Sequence, residues 1–251
     1  MEITSVNNDL VKETAKLQQK KYRNQTGKFI MEGYKSIKEA FDFGIKIEHI
    51  FVDEKHVRDY HFAKDILIKT NENVLKKISS TESAPSAIAI GYQNHFDINI
   101  LKSKQKVVLL ENIKDLGNLG TIIRSSIAFG ADAIVLFGGE TVDIYNPKCI
   151  RATVGNLWKI PILNIKNIDE ISKSFKNFDI IATLPRAKHT LKNFKVKTPV
   201  LIMFGSEAEG LSNELINIST DSVKIEMTPA VESLNLASSV SVILYELFME
   251  G

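Results

Sequence analysis

Residues 106–130 read KVVLLENIKDLGNLGTIIRSSIAFG, and this stretch sets the fold class. Val107–Leu110 is a continuous apolar run, the pattern of a strand covered on both faces, as in parallel sheets flanked by helices. A loop of interest, Glu111–Arg124, follows, and a helix is predicted over Leu119–Phe129. Strand, loop and helix form the first half of a strand–helix–strand unit, and open parallel sheets bind ligands at the carboxyl ends of their strands. The loops after the strands are therefore where chemistry is expected.

Working outward, the pattern predicts strands at Ala133–Phe137, Ile160–Leu163, Asp179–Leu184, Val200–Phe204 and Val223–Met227. Helices are predicted at Pro147–Gly155, Ile168–Phe175 and Asn213–Ile218, and a last one at Asn235–Met249 carries Leu236, Val240, Ile243, Leu244 and Leu247 at helical spacing. Upstream, the polar stretch Gln93–Gln105 reads as a linker. Before it, strands Phe29–Met31, Ile47–Val52, Ile66–Ile68 and Ala87–Gly91 alternate with helices Val6–Lys20, Tyr34–Phe43 and Val74–Ser79, and a polar turn is predicted at Asn24–Gly27. The expected organisation is an α/β chain with a small first domain over 1–92, a linker over 93–105 and a parallel-sheet domain over 106–251.

With 251 residues, 44% hydrophobic and 25% charged, the chain is neither disordered nor a disulfide scaffold. It contains no run of 18 apolar residues, so no membrane span is expected. The opening segment lacks the apolar core of a signal peptide, and the lone Cys149 fits a reducing cytoplasm. His49, His56, His61, His95 and His189 do not combine with Cys149 or carboxylates at metal-ligand spacing, and no metal is expected. The net charge of +2 hides a basic stretch, Lys12–Lys28, where six cations stand beside the single acid Glu13. Lys12, Lys20, Lys21 and Arg23 are its candidate phosphate contacts, with a solvated helix face as the plainer alternative.

Three loops hold unusual polar residues. In the first, Asn118 stands at the expected helix N-cap and Arg124 falls within an otherwise apolar helical stretch. The chain has five arginines beside 27 lysines, so Arg124 and Arg151 stand out as candidates for planar, bidentate anion recognition; a helix-surface role is the alternative. In the second, Gly205 to Gly210 has the glycine spacing of a phosphate loop, but Leu211 replaces the lysine, and Glu207 and Glu209 repel phosphate. That loop suits a neutral or cationic ligand. In the third, Met227–Asn235, Ser233 is placed to cap the last helix with Asn235 in its first turn.

Taken together and in order, these motifs resemble the SpoU (TrmH-like) branch of the SPOUT RNA methyltransferases. N-x-G-x-x-x-R followed by F-G is met by Asn118, Gly120, Arg124, Phe129 and Gly130, and G-x-E-x-x-G by Gly205, Glu207 and Gly210. I-x-M followed by S-L-N is met by Ile225, Met227, Ser233, Leu234 and Asn235, and Asn146–Ile162 resembles a further segment, with Thr153 replacing a serine. One departure is Asp115-Leu-Gly-Asn118, where many members have D-P-x-N. GKFIMEGYKSIKEAF and IEHIFV resemble, more loosely, the family's N-terminal substrate-binding domain.

The resemblance implies a deep trefoil knot in the parallel-sheet domain, a small α/β RNA-binding domain before it, and a homodimer. It implies S-adenosylmethionine as methyl donor, held by Gly205, Ile225, Met227 and Leu234, with no metal. It implies methylation of a ribose 2′-hydroxyl in RNA, ribosomal RNA ahead of transfer RNA, with neither DNA nor membrane as partner. Asn118, Arg124, Glu207, Ser233 and Asn235 carry the catalytic roles in this reading, and Arg151 grips a phosphate. A transfer-RNA enzyme and a catalytically silent RNA-binding relative are the alternatives it leaves open.

Overall fold

The computed structural model describes residues 1–139, 142–192, 194–231 and 233–249; Glu140, Thr141, Asn193, Glu232, Glu250 and Gly251 lie outside the described residues. Two compact units are present, one formed by Met1–Asn94 with Asp143–Trp158, the other by His95–Val142 with Lys159–Gly251.

The first unit holds a four-stranded sheet of β1 (Lys28–Glu32), β2 (Ile47–Asp53), β3 (Leu67–Thr70) and β4 (Ala87–Tyr92), in the order β1-β4-β2-β3. β4 is antiparallel to both β1 and β2, while β2 and β3 run parallel. Its four buried Ala/Ile side chains, Ala87 to Ile90, explain the apolar run read in the sequence. The predicted helix Val6–Lys20 is instead Asp9–Lys16, capped by Asn8, and the predicted turn at 24–27 belongs to a second helix, Lys20–Thr26. Gly27, at φ +64°, ends that helix in the left-handed conformation a glycine adopts without strain.

Asp143–Trp158, read from the sequence as part of the later domain, packs with this first unit. The physical reason is local. The rings of Tyr145 and Trp158 lie 4.8 and 5.4 Å from Phe29, and Asp143 accepts from the Arg23 guanidinium at 2.7 and 2.8 Å.

The second unit is a seven-stranded parallel sheet. Its strands are β5 (Lys106–Glu111), β6 (Ala133–Phe137), β7 (Ile162–Ile165), β8 (Asp179–Thr183), β9 (His189–Thr190), β10 (Val200–Phe204) and β11 (Asp221–Lys224). The order is β7-β6-β5-β10-β8-β11-β9. β5 and β10 are buried along almost their whole length, as continuous apolar runs in a sheet centre must be. The chain leaves β5 toward β6 and β7 but returns on the other side, so strand order reverses between β5 and β10. That is the position where open α/β sheets form their crevice. The predicted linker is not featureless: Ile98–Ser103 forms a 3-10 turn that buries Leu101 in the core of this unit.

Candidate active site

The loop after β10 is built by its two glycines. A Cβ on Gly205 would lie 1.9 Å from the Gly210 carbonyl carbon and 2.1 Å from the Leu211 nitrogen, so only glycine lets the chain fold back here. Ser206 and Gly210 exchange backbone hydrogen bonds of 3.2 and 3.1 Å, and Gly210 sits at φ +70°. The pinched loop turns Glu207 toward the loop after β5. There Asn118 donates from Nδ2 to Glu207 Oε1 at 2.7 Å, and Asn235 Nδ2 donates to Asn118 Oδ1 at 3.0 Å. Side chains 89 and 117 residues apart thus form one hydrogen-bonded row across the reversal point of the sheet.

Helix capping explains why these side chains are free to meet. Asp115, not Asn118, caps the helix Leu116–Ala128 by accepting from the Asn118 backbone N–H at 2.6 Å. Asn118 therefore lies in the first turn, with its amide pointing outward. Likewise Asn235, not Ser233, caps the last helix, Leu236–Met249: its Oδ1 accepts from Ala237 and Ser238, which leaves its Nδ2 for Asn118. Beneath the loop, the buried Glu111 carboxylate at the end of β5 accepts from the Ser212 N–H at 2.7 Å.

Beside this row a cleft of about 680 Å³ opens at the ends of β8, β10 and β11, lined by Thr183–Pro185, Phe204–Leu211, Val223–Ile225, Met227 and Ser233–Leu236. Its volume is that of a small-molecule site, roughly 300–1,000 Å³. Gly205, Glu207, Ile225, Met227, Ser233, Leu234 and Asn235, all singled out from the sequence, line it. The half-exposed Met227 and Leu234, at 39% and 40%, leave apolar surface free on one side. Glu207 and Glu209 supply negative charge, and the folded-back loop supplies backbone groups. The sequence reading missed Thr183–Pro185 and Lys224, whose only signal was their place at strand ends.

Arg124 is elsewhere. It is exposed, makes no hydrogen bond or ion pair among the described residues, and does not line the cleft. Six residues beyond Asn118, it points roughly 120° around the helix from it. The basic candidates of the first unit divide. Lys12, Lys20 and Lys21 are exposed, Lys12 beside Asp9 at 3.5 Å. Arg23 is 1% exposed, and besides Asp143 its guanidinium donates to the Leu17 and Gln18 carbonyls, both at 2.8 Å. This corrects its assignment as a phosphate contact: it is a structural ion pair. Arg151 faces Glu32 at 3.4 Å and donates to Ser80, with a third of its side chain exposed. Among the described residues no group of three or more His, Cys, Asp or Glu is placed to hold a metal, and no helix is long and apolar enough to cross a membrane.

A parallel sheet whose crevice combines a folded-back glycine loop, apolar walls and a Glu–Asn–Asn row is the architecture of a methyltransferase of the SpoU type. The SpoU rRNA Methylase family matches residues 105–245, and an MRM3-like substrate binding domain matches residues 8–89. An uncharacterized tRNA/rRNA methyltransferase of Synechocystis is 32% identical, the match covering 97% of this chain and 92% of that protein. The 23S rRNA (guanosine(2553)-2′-O)-methyltransferase RlmP of Bacillus subtilis is 27% identical, with 98% of each chain covered. The crystal structure of an AdoMet-bound rRNA methyltransferase from Sinorhizobium meliloti superimposes with a TM-score of 0.89 at 30% identity, covering 98% of this chain and 96% of that one. The chain belongs to the SpoU rRNA methylase family, as the motif resemblance implied.

Proposed function

We propose that this protein transfers the methyl group of S-adenosylmethionine to a ribose 2′-hydroxyl of ribosomal RNA. The observation that carries the reading is the hydrogen-bonded row Glu207–Asn118–Asn235 at the rim of a cleft lined by Gly205, Ile225, Met227 and Leu234. The relatives named for ribosomal RNA 2′-O-methylation, and the AdoMet-bound neighbour, support it.

The cleft fits the methyl donor: apolar walls suit an adenosine, the loop's backbone groups suit its polar edge, and the Glu207 and Glu209 carboxylates suit a cationic sulfur. When bound, S-adenosylmethionine would supply an electrophilic methyl to the hydroxyl oxygen, with S-adenosylhomocysteine as the leaving group and the hydroxyl proton passing to water. The chain's own task is then alignment and charge. Glu207, accepting from Asn118, and Asn118, accepting from Asn235, hold each other's orientation, which leaves Glu207 with free lone pairs for the acceptor ribose. Ser233 adds a hydroxyl to the cleft lining. Arg124, which pairs with none of the described residues, is assigned to the phosphate beside the target, where a guanidinium's charge suits positioning rather than proton abstraction.

The same reading takes 1–92 as the RNA-selecting domain, with Lys12, Lys20 and Lys21 among its phosphate contacts and Arg151 as a further one, and 106–251, apart from the segment Asp143–Trp158 that packs with the first unit, as the catalytic domain. It places a trefoil knot in the parallel sheet and the protein in the cytoplasm. It includes a homodimer, supported by the exposed apolar side chains Val242, Tyr245 and Met249 along the last helix.

The test supplies labelled S-adenosylmethionine with total RNA and maps the alkali-resistant linkage that a 2′-O-methyl group creates. Label in a single ribosomal RNA linkage is the expected result, and label in a base or in protein overturns the reading. Arg124→Lys keeps the charge: activity retained with an unaltered pH profile supports the positioning role, and activity lost with intact RNA affinity overturns it.

A further inference from the structure

The cations of the first unit's basic stretch are largely neutralised. Lys12 pairs with Asp9, Lys16 with Glu13, Lys28 with Glu48 and Arg23 with Asp143. A second basic segment, in the other unit, behaves differently. From Ile180 to Ser206 the chain has no acidic residue, and Arg186, Lys188, Lys192, Lys195 and Lys197 fall within twelve positions of it. All five are exposed, and none of their side chains makes an ion pair or hydrogen bond with any described residue.

The backbone from Ala187 to Leu191 is held in place. Ala187 and Leu191 are buried, at 9% and 7% exposure. His189 and Thr190 form β9, paired with Val223 and Lys224 of β11, and the Leu191 N–H donates to the Lys224 carbonyl at 2.8 Å. Two acids of the neighbouring strands are already engaged: Asp221 faces His189 Nε2 at 3.3 Å and accepts from the Ser222 N–H, and Asp179 accepts from the Lys197 N–H. Small and apolar residues thus point inward while the long cationic ones point out. The strap is also contiguous with the cleft, because Leu184 and Pro185 line its wall and Arg186 is the next residue, about 3.8 Å further along the chain.

Cations that pair with no described residue, beside a reaction cleft and flanking the held stretch Ala187–Leu191, bind a polyanion at reduced entropic cost. We infer that Arg186, Lys188, Lys192 and Lys195 form a phosphodiester-binding strap that grips the substrate RNA backbone next to the methylated nucleotide. The inference rests on the RNA-methyltransferase reading and adds to it a surface on the catalytic unit itself, separate from the substrate-binding segment.

The experiment uses the full chain with Arg186, Lys188, Lys192 and Lys195 all changed to Gln. A charge-matched control changes Lys102, Lys166, Lys173 and Lys176, exposed residues of the same unit, to Gln. Three quantities are measured: S-adenosylmethionine affinity by calorimetry, KM and kcat on protein-free ribosomal RNA, and the slope of log RNA affinity against log salt. The strap variant is expected to keep cofactor affinity and kcat, to raise KM at least tenfold, and to lower the slope by about 3, since each phosphate contact contributes about 0.7–0.9. The control moves the slope by less than about 1. Equal slopes and KM values for the strap variant and the unaltered protein overturn the strap while leaving the methyltransferase reading intact. A defect seen only on protein-containing ribosomal particles also overturns it, by assigning the strap to an acidic protein. An unaltered chain that binds S-adenosylmethionine but no RNA overturns both.

Discussion

Gly205→Ala is the sharpest perturbation of the cleft. The added methyl meets the Gly210 carbonyl carbon at 1.9 Å, the Leu211 nitrogen at 2.1 Å and the Gly210 oxygen at 2.3 Å. All three are backbone atoms, so no side chain can swing aside, and the facing strand of the loop must retreat by roughly 1 Å. That retreat breaks the reciprocal Ser206–Gly210 hydrogen bonds, worth about 1 kcal/mol each. If ligand binding must restore them, about 2 kcal/mol of affinity is lost, close to thirtyfold in Kd. Misplacement of about 1 Å in a reacting site also costs on the order of 10²-fold in rate. Gly210→Ala is the comparison, because nothing lies within 4 Å of its added methyl and only the φ of +70° opposes it, at roughly 1–2 kcal/mol. Calorimetric titration with S-adenosylmethionine, methyl transfer to ribosomal RNA and thermal melts of both variants decide the matter. The expected order of damage to Kd and rate is Gly205→Ala well above Gly210→Ala, with Tm of the former lower by about 4–8 °C. A Gly205→Ala protein binding within twofold of the unaltered one, or less damaged than Gly210→Ala, would refute the claim that this fold-back shapes the cleft.

Two further predictions concern the first unit. Asp143→Ala strands the buried Arg23 guanidinium without a counter-charge and is expected to cost about 3–5 kcal/mol, read as the shift of this unit's urea-unfolding midpoint; a loss below about 1 kcal/mol would mean that water replaces the carboxylate. Burial, with a smaller contribution from Asp143, pushes the Cys149 thiol up to about 12, so the reactive thiolate is scarce at all lower pH and appears only as pH rises through that value. Iodoacetamide at pH 8 should therefore label native protein at least about 10²-fold more slowly than urea-unfolded protein, and equal rates would show that the helix Pro147–Thr153 opens readily.

The strands that were legible in the sequence are those buried on both faces. Ala133–Phe137 and Val200–Phe204 are found at the positions their apolar runs predict, because burial on two sides leaves no polar residue to blur the ends. β7 and β11 are displaced by about two residues for the opposite reason: Asn164 of β7 is exposed, and Val223 is the one fully buried residue of β11. The site residues were legible as motif members, but their local roles were not. An asparagine after a strand reads equally as a cap or as a first-turn residue, and the choice depends on Asp115 three positions earlier taking the cap. That shift by three residues is what releases the Asn118 side chain to bridge Glu207 and Asn235.

Charge shows the same limit more sharply. In sequence, Lys12–Lys28 is the denser basic run, and Arg23 looks like one of its exposed members. In the fold its neutralising partner, Asp143, comes from 120 residues away, and four of the run's six cations have carboxylates beside them. In the segment Arg186–Lys197, less conspicuous because strands and apolar residues interrupt it, none of the five cations pairs with a described residue. What a polyanion feels is the charge left after such pairing, acting within a screening length of about 8–10 Å. The count that matters for RNA binding is therefore taken over neighbours in space, and on that count the edge of the catalytic sheet outranks the N-terminal helices.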